Sequence, residues 1–435
     1  MKFYDRTAEI EALNNIERLS SKNAQMTVIT GRRRIGKTTL IKKAFNNIPF
    51  VYFFVGKKSE GLLCREMVEI IREELGEELG DFTSFSRLMS AIMNISKRKN
   101  FTLVLDEFQN FKYVNESIFS DMQDVWDKNK DESNLNLVIC GSIYSKMRKI
   151  FDDKEEPLYG RATAKFKIRP FSIATLKEIL TDFNPNFTNE DLLCLYLITG
   201  GVAKYVEQLM INDAYTKDAM IRYTLGLGSY FIDEAREMLS DEFGKDYGNY
   251  FSILAAIAAG NTTRGDIKSY TGIEPGGFLD NLEQDYDLIQ RKRPYLAGEN
   301  SRKVRYIISD NFINFWFRFI YKYRSAVEIQ NMQYVQVKVF ADYETYSGLI
   351  LEKLIRQLYM ESGIYNIVTN YWDKDETDEI DLIAVNDIDK VVMIGETKRN
   401  KAKIDLKVLE NKAAKIVNHH KGWNINFIGT SLEDL

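Results

Sequence analysis

An eight-residue segment near the amino end restricts this chain to a narrow group of folds. Residues 31–38 read GRRRIGKT, which fits the pattern GxxxxGK followed by Ser or Thr. The apolar run QMTVIT precedes the segment, and the helix-like run KTTLIKKAF begins within it. At average residue usage, a chain of this length would contain ~0.015 such matches by chance. The pattern therefore predicts a strand, a phosphate-binding loop and a helix.

The residue types in this loop suit the binding of a nucleoside triphosphate. Glycines at positions 31 and 36 allow backbone N–H groups to curl around phosphates at the start of a helix. We expect Lys37 to reach the outer phosphates and the Thr38 hydroxyl to ligate Mg²⁺. The three arginines at 32–34 add local positive charge without specifying a substrate. The residues predicted to bind ATP are Gly31, Arg32, Arg33, Arg34, Ile35, Gly36, Lys37, Thr38, Thr39, Asp106 and Ser142.

A second strand predicts the partner of the loop. The run FTLVLDE is apolar up to Asp106, so it is typical of a buried parallel strand that ends in a carboxylate at the sheet's ligand-binding edge. We expect Asp106 to hold Mg²⁺ together with Thr38, directly or through water. Glu107 follows immediately and is the predicted catalytic base that deprotonates the attacking water.

Two further residues are candidates with an open alternative each. Ser142 ends the apolar run LNLVICGS, where a side chain that senses the γ-phosphate would lie, but a serine in a tight turn fits equally. Arg161, in PLYGRATAKF, is a candidate catalytic cation for the transferred phosphoryl group, acting within the chain or on a neighbouring copy. A solvated loop arginine is the competing interpretation.

The length and the order of periodic segments predict several domains. At about 150 residues a domain, 435 residues correspond to about 2.9 domains. The alternation of apolar and amphipathic runs predicts an α/β fold, a P-loop NTPase core with a parallel sheet. Helical periodicity then predicts a lid, and three helices followed by two strands predict a winged helix with a polar turn at 296–301. A small α/β domain ends the chain, with helices expected from about Tyr346 to Glu361 and from about Asp405 to His419. The predicted domains are 1–170, 171–240, 245–325 and 340–435.

The predicted winged helix leaves two functions open. A winged helix can place its third helix in the major groove of DNA. Here that helix, GGFLDNLEQDYDLI, carries four acidic residues and no Lys or Arg, so like charge would oppose phosphates. Only the wing, residues 291–293, is basic. Docking onto the ATPase core or the tail and binding of DNA both remain hypotheses.

The tail contains a second candidate site. In the strands DEIDLIAVN and KVVMIGETK, side-chain alternation places Glu396 and Lys398 on one face, where Asp381 of the neighbouring strand can join them. Two carboxylates and a lysine suit Mg²⁺ binding by Asp381 and Glu396 and hydrolysis of phosphodiesters by all three. A hairpin with solvated charges is the alternative. Basic residues clustered at 398–407 could seat a nucleic-acid backbone or form a solvated face.

Composition excludes several classes of protein. A net charge of −4 argues against coating of nucleic acid through bulk charge, so any such contact must be local. Three dispersed cysteines support neither a disulfide framework nor a zinc cluster, and the two histidines are adjacent. No apolar run reaches the ~18 residues of a membrane span. We therefore expect a cytoplasmic protein without membrane contact, which could form homo-oligomers.

These motifs together carry a resemblance to a known family. GRRRIGKT, LVLDEFQN, the CGS strand end, PLYGR and TGGVAKYVEQL, in this order, resemble the archaeal-type P-loop ATPases, an AAA-related and STAND-like group. The resemblance implies that Arg6 and Glu9 lie on the adenine side of the pocket. Ala203 stands where the family usually has proline, which argues against nucleotide sensing by that segment. YIISDNFINFWFRFIYKYRS resembles the family's C-terminal domain of unknown function.

The tail resembles restriction-endonuclease-like nucleases through its D…ExK residues and its order of helix, three strands, helix and strand. That resemblance matches Glu352 to an acidic residue that some members add. The resulting first hypothesis is a Mg²⁺-dependent ATPase whose nucleotide state controls a nuclease acting on DNA or RNA. A regulator or scaffold with an inactive, binding-only tail is the second. Remodelling of other proteins is a third.

Overall fold

The computed structural model describes residues 1–298, 301, 303–373 and 378–435. Contacts between Cα atoms divide them into two compact units. One unit is Asp5–Arg169, and the other combines Met1–Tyr4 with Pro170–Leu435. Among the described residues, no helix is both long enough and apolar enough to cross a membrane.

The Asp5–Arg169 unit alternates helices and strands. Its elements are α1 (Thr7–Ser20), β1 (Gln25–Thr30), α2 (Lys37–Ala44), β2 (Phe50–Phe54), α3 (Glu60–Leu75), α4 (Phe85–Ser96), β3 (Phe101–Asp106), α5 (Phe111–Val114), α6 (Ile118–Asn129), β4 (Leu135–Cys140), α7 (Tyr144–Asp152) and β5 (Ala164–Lys167).

Five parallel strands form one sheet in the order β2-β3-β4-β1-β5. Every residue of β3 and β4 is buried, as expected for central parallel strands covered on both faces. The predicted α/β fold with a parallel sheet is therefore confirmed. The sequence did not predict β5, because its exposed Lys165 and Lys167 alternate with partly buried residues and give no apolar run.

The larger unit begins with helices and ends with a second sheet. Its elements are α8 (Ile173–Phe183), α9 (Asn189–Thr199), α10 (Ala203–Ile211), α11 (Lys217–Thr224), α12 (Phe231–Phe243), α13 (Tyr247–Ala258), α14 (Arg264–Thr271), α15 (Gly276–Gln284), β6 (Ile289–Lys292), β7 (Arg305–Ile308), α16 (Asn311–Phe315), α17 (Arg324–Glu328), α18 (Met332–Glu361), β8 (Ile367–Trp372), β9 (Glu379–Asn386), β10 (Val391–Lys398), α19 (Leu406–Lys412), α20 (Ala414–His419) and β11 (Asn424–Ser431).

The segment predicted to be a lid is helical, and α9 and α10 are separated by Gly200 and Gly201, both with positive φ. Helices α13 to α15 and the antiparallel pair β6–β7 follow the order predicted for a winged helix. Residues 299 and 300 of the predicted polar turn lie outside the described residues.

The tail sheet has the order β11-β10-β9-β8, in which β10 and β11 are parallel and the other pairs antiparallel. Two predicted helix bounds were wrong. The helix expected from about residue 346 begins at Met332, because the Asn331 side chain accepts a hydrogen bond from Tyr334 N and caps an earlier start. The helix expected over 405–419 is two helices that meet at Ala413, where ψ is 0°.

Candidate functional site

The phosphate-binding loop connects β1 to α2, and two glycines shape it. Gly31 has φ of 149°, and a Cβ atom there would lie 2.9 Å from the Ile168 carbonyl oxygen. Gly36 has φ of 96° and directly precedes α2. Arg34 also has positive φ, at 72°. Because positive φ is accessible to glycine without strain, the loop can bring successive backbone N–H groups to one side at the start of α2.

Lys37 folds back onto this loop. Its ammonium group donates to the carbonyl oxygens of Gly31 at 2.8 Å and Arg32 at 3.1 Å, and the residue is only 8% exposed. These contacts hold the ammonium above the loop. Ile35 is buried, whereas Thr39 is exposed on the first turn of α2.

Asp106 is the centre of the site at the end of β3. Its carboxylate accepts hydrogen bonds from four groups, which are Thr38 Oγ1 at 3.3 Å, Glu107 N at 2.9 Å, Cys140 Sγ at 3.0 Å and the Tyr52 hydroxyl. Burial, together with the nearby Asp106 charge, raises the pKa of both Tyr52 and Cys140, so both remain protonated donors at neutral pH. These four hydrogen bonds fix the carboxylate in orientation.

Thr38 and Asp106 together suit a magnesium ion. Their oxygens are 3.3 Å apart, and hydroxyl and carboxylate oxygens are the ligands that Mg²⁺ prefers. Among the described residues, no group of three or more His, Cys, Asp and Glu side chains is placed to hold a metal. Mg²⁺ in nucleotide sites needs no such cage, because waters and substrate phosphates supply most of its ligands.

Glu107 lies beside Asp106 in a strained backbone conformation. Its φ of 55° and ψ of 40° fall in the left-handed region, which is unfavourable for a residue with a side chain. Its carboxylate accepts hydrogen bonds from Ser142 Oγ at 2.9 Å and from the Gln109 amide. Gly141 leaves room for this arrangement, since a Cβ there would lie 2.2 Å from Gln109 Oε1.

The structure thus brings the P-loop residues, Asp106, Glu107 and Ser142 together. It also adds three residues that the sequence analysis missed, namely Tyr52, Gln109 and Cys140. Gln109 and Cys140 are in the quoted motifs LVLDEFQN and LNLVICGS, so their proximity could have been inferred. Tyr52 is in β2, and only the strand order β2-β3 places it beside Asp106.

The ion pair and hydrogen bonds that hold Arg161 are with residues other than those of the phosphate-binding loop, Asp106 and Glu107. Its guanidinium pairs with Asp127 on α6, with 2.8 Å between Nη2 and Oδ2, and donates to the carbonyl oxygens of Pro157 and Tyr159. Arg6 is buried and pairs with Glu9 at 3.1 Å. Arg6 also donates to the Arg169 carbonyl oxygen, one residue beyond the Ile168 carbonyl that faces Gly31.

The second candidate site lies on the tail sheet. Lys398 Nζ is 2.7 Å from Glu396 Oε1 and 3.8 Å from Asp381 Oδ2, so the three predicted residues meet across β9 and β10. Asp381 Oδ2 also accepts from Thr397 N at 2.8 Å. Burial alone would lower the pKa of Lys398, but the bond to Glu396 and the charge of Asp381 raise it above the usual value.

Burial perturbs the acids of this site. It raises the pKa of Asp381, and the nearby Glu396 charge acts in the same direction. Burial, followed by repulsion from Asp381, raises the pKa of Glu352 on α18 to about 8. Carboxyl groups that favour the protonated form in this way are typical of functional sites, although structural clusters share the property.

The basic residues that follow this site divide into two groups. Arg399 pairs with Glu190 of α9 at 2.6 Å, and Lys401 pairs with Asp434 at 3.0 Å. Lys403 and Lys407 are exposed. The cluster is therefore partly structural.

Comparisons with known proteins match these features. A family described as an ATPase domain predominantly from Archaea matches residues 3–209, and archaeal and bacterial proteins of unknown function match residues 316–416. MJECL04, an uncharacterized protein of Methanocaldococcus jannaschii, is 31% identical over 405 residues, which cover 91% of this chain and 87% of that protein. The chain belongs to this archaeal ATPase family.

Solved structures similar to this chain include the Walker-type ATPase PABY2304 of Pyrococcus abyssi. It has a TM-score of 0.55 and 18% identity, and the match covers 73% of this chain and 96% of that one. ORC2 of Aeropyrum pernix, in ADPNP–ADP complexes, has a TM-score of 0.44 and 15% identity, with 78% of this chain and 96% of that one covered. Family membership makes this chain an ATP-binding P-loop ATPase.

Proposed function

We propose that this archaeal ATPase hydrolyses ATP with Mg²⁺ at the edge of its five-stranded sheet. The observation that carries the proposal is the 3.3 Å approach of Thr38 Oγ1 to Asp106 Oδ2, with Lys37 folded back onto the loop and Glu107 next to Asp106 in the chain. These residues cover the three tasks of the reaction, which are binding of phosphates, binding of Mg²⁺ and activation of water.

Binding of ATP is assigned to the loop and the first turn of α2. The backbone N–H groups of 31–38 receive the phosphates, and Lys37 exchanges its two carbonyl acceptors for phosphate oxygens. Thr38 and Asp106 hold Mg²⁺, which when bound neutralises charge on the phosphates. The arginines at 32–34 strengthen the local attraction for the polyanion.

Hydrolysis is assigned to Glu107 as the base. Its carboxylate accepts a proton from the attacking water, and Ser142 and Gln109 set its orientation through their hydrogen bonds. Four donors fix the neighbouring Asp106. The two adjacent carboxylates therefore have separate roles, one on the metal and one on the water.

Calorimetric titration with Mg²⁺ and ATP tests the binding roles. Lys37→Ala removes the ammonium group from the loop, and we expect no detectable binding. The control is Lys43→Ala, an exposed lysine on the same helix, which should bind as the parent does. Equal binding by the parent and Lys37→Ala would contradict the assignment.

A second candidate function belongs to the tail, and the approach of Lys398 to Glu396 and Asp381 favours it. We propose that these residues hydrolyse phosphodiester bonds of DNA or RNA under control of the nucleotide state of the ATPase. Asp381 and Glu396 offer oxygen ligands to Mg²⁺, and Lys398 is placed to stabilise charge on the phosphate.

Incubation of DNA and RNA with Mg²⁺ and ATP tests this activity. Cleavage by the parent should disappear in Lys398→Ala and persist in Lys415→Ala, an exposed lysine on α20 outside the basic cluster. Inertness of the parent on both nucleic acids would instead favour the alternative, an ATP-switched regulator whose tail only binds.

Arg161 is proposed to act on a neighbouring copy in a homo-oligomer. Its contacts with Asp127 and two carbonyl oxygens hold the guanidinium in place within the chain. If the role is in trans, a mixture of Arg161→Ala and Lys37→Ala chains should recover ATPase activity that neither has alone. A mixture that stays inactive would contradict it.

A further inference from the structure

The hairpin of β6 and β7 lies directly against the tail sheet. Tyr295 N, in the connection between the two strands, donates to the Asn370 carbonyl oxygen on β8 at 3.0 Å. The Tyr295 hydroxyl lies 2.7 Å from His420 Nε2, and the two rings are nearly parallel. Arg305 of β7 pairs with Glu379 of β9 at 2.6 Å. The hairpin therefore forms one wall of the tail domain.

Strand geometry indicates that Lys292 and Arg305 of this hairpin face the side of β9 that carries Asp381. Glu379 and Asp381 are two residues apart on one strand, so their side chains share a face. Lys292 is directly opposite Arg305 in the β6–β7 register, so these two side chains also share a face. Arg305 joins the two faces through its pair with Glu379.

Lys292 brings an uncompensated positive charge to this place. Burial lowers the pKa of Lys292, and repulsion from Arg356 lowers it further. Arg356 Nη1 in turn donates to the Asp381 carbonyl oxygen at 2.6 Å. Lys292 makes no ion pair with any residue that the structure describes. Its neighbour Arg291, by contrast, pairs with Glu283 at 3.2 Å.

The charged groups around Asp381 favour the binding of an anion. The described carboxyl groups linked to it are Glu352, Glu379, Asp381 and Glu396, and the cations are Lys292, Arg305, Arg356, Lys398 and Lys412. Among these described groups the cations outnumber the carboxyl groups by one. A phosphodiester supplies one negative charge for each phosphate, so a nucleic-acid backbone suits the site.

We propose that the hairpin and the tail sheet form one binding site for a polynucleotide backbone, in which Lys292 contacts a phosphate beside Asp381, Glu396 and Lys398. The inference rests on the proposed function of the tail and adds the hairpin to its site. It gives the hairpin a role in positioning a strand against the tail rather than in reading a groove.

Fluorescence anisotropy with labelled DNA and RNA oligonucleotides, in EDTA so that nothing is cleaved, tests the proposal on the full chain. We expect Lys292→Ala to weaken binding and to lower the slope of log K against log salt by ~0.7–0.9, the loss of about one phosphate contact. Lys303→Ala, which removes an exposed charge next to the same hairpin, should leave the slope unchanged. Equal slopes for both variants, or absence of binding by the parent to DNA and to RNA, would overturn the proposal.

A second pair of variants separates this role from a structural one. Lys292→Arg keeps the cation and should retain most of the affinity. Lys292→Met should raise the melting temperature at pH 7, because it removes a charge whose burial is unfavourable, while it weakens binding. Loss of binding together with a lower melting temperature would indicate misfolding and would contradict the proposal. A parent that binds but never cleaves would refute the nuclease function and leave this site intact.

Discussion

Ser142, which follows β4, shows how the role of a residue depends on its neighbours. Sequence left Ser142 open between a γ-phosphate sensor and a turn residue, and in the structure its hydroxyl donates to Glu107 at 2.9 Å. A hydrogen bond to a charged group contributes ~1.5–3 kcal/mol. We therefore expect Ser142→Ala to lower kcat by ~10- to 100-fold with little change in KM, because it releases the proposed base. Ser142→Thr should restore the rate, and a changed KM with unchanged kcat would refute the positioning role.

Glu352 gives a prediction about pH. Its pKa of about 8 in the folded chain lies above the usual value of 4.5, so the folded state holds the proton more tightly than the unfolded state does. Its contribution to stability is fully present below about pH 4.5 and is lost as the pH rises through about 8. Glutamine mimics the protonated acid. Glu352→Gln should therefore melt about 2 °C or more above the parent at pH 9, and the two should have the same melting temperature at pH 4.5.

Thermal unfolding of both chains across this range checks the prediction. Glu344→Gln, an exposed residue on the same helix, should follow the parent at every pH. A melting-temperature difference that does not grow with pH would contradict the argument.

Individual site residues were predictable where one motif contains them. Lys37, Thr38, Asp106 and Glu107 follow from short patterns, since a loop of fixed length and a buried strand determine their positions. Tyr52 was not predictable, because it reaches Asp106 only through the pairing of β2 with β3. The electrostatic effect of Arg356 on Lys292 likewise depends on packing between distant segments.

Elements with a strong periodic pattern were predicted well, and their ends were not. Strands β1 to β4 of the parallel sheet lie where the apolar runs predict them, whereas the polar edge strand β5 gives no such run. The start of α18 depends on a cap at Asn331, which one side-chain hydrogen bond decides. Two strands of the tail have clear alternation, so the meeting of Asp381 with Glu396 and Lys398 could be inferred before the fold was known.

The turn between α9 and α10 tests the packing of the helical segment. Gly201 has φ of 79°, and a Cβ there would lie 2.6 Å from the Phe171 carbonyl oxygen. Because both atoms belong to the main chain or are attached directly to it, only a backbone movement could relieve this close contact. We expect Gly201→Ala to destabilise the protein by ~2–4 kcal/mol, from strain and from the close contact.

Gly228→Ala is the matched control for this change. Gly228 also has positive φ, at 73°, but a Cβ there meets nothing within 4 Å, so only the strain of about 1 kcal/mol applies. Chemical denaturation of both variants measures the difference. Equal losses of stability would show that the contact with Phe171 is unimportant.

At the scale of the whole molecule, the chain combines two compact units, and the functions assigned to them rest on different evidence. The Asp5–Arg169 unit contains the residues proposed to bind and hydrolyse ATP and lies within the matched archaeal ATPase domain. The larger unit contains the proposed composite site of hairpin and tail, whose function rests on geometry. The division of the larger unit into a lid, a winged helix and a nuclease-like domain stays a prediction.

The rate of phosphate release from ATP by Glu107→Gln, measured beside its affinity for Mg²⁺ and ATP, tests the central assignment most directly. Glutamine keeps the shape of the side chain and cannot take a proton from water. We expect the affinity to stay near that of the parent and the rate to fall by about two to four decades. A variant that hydrolyses ATP as fast as the parent would show that Glu107 is not the base.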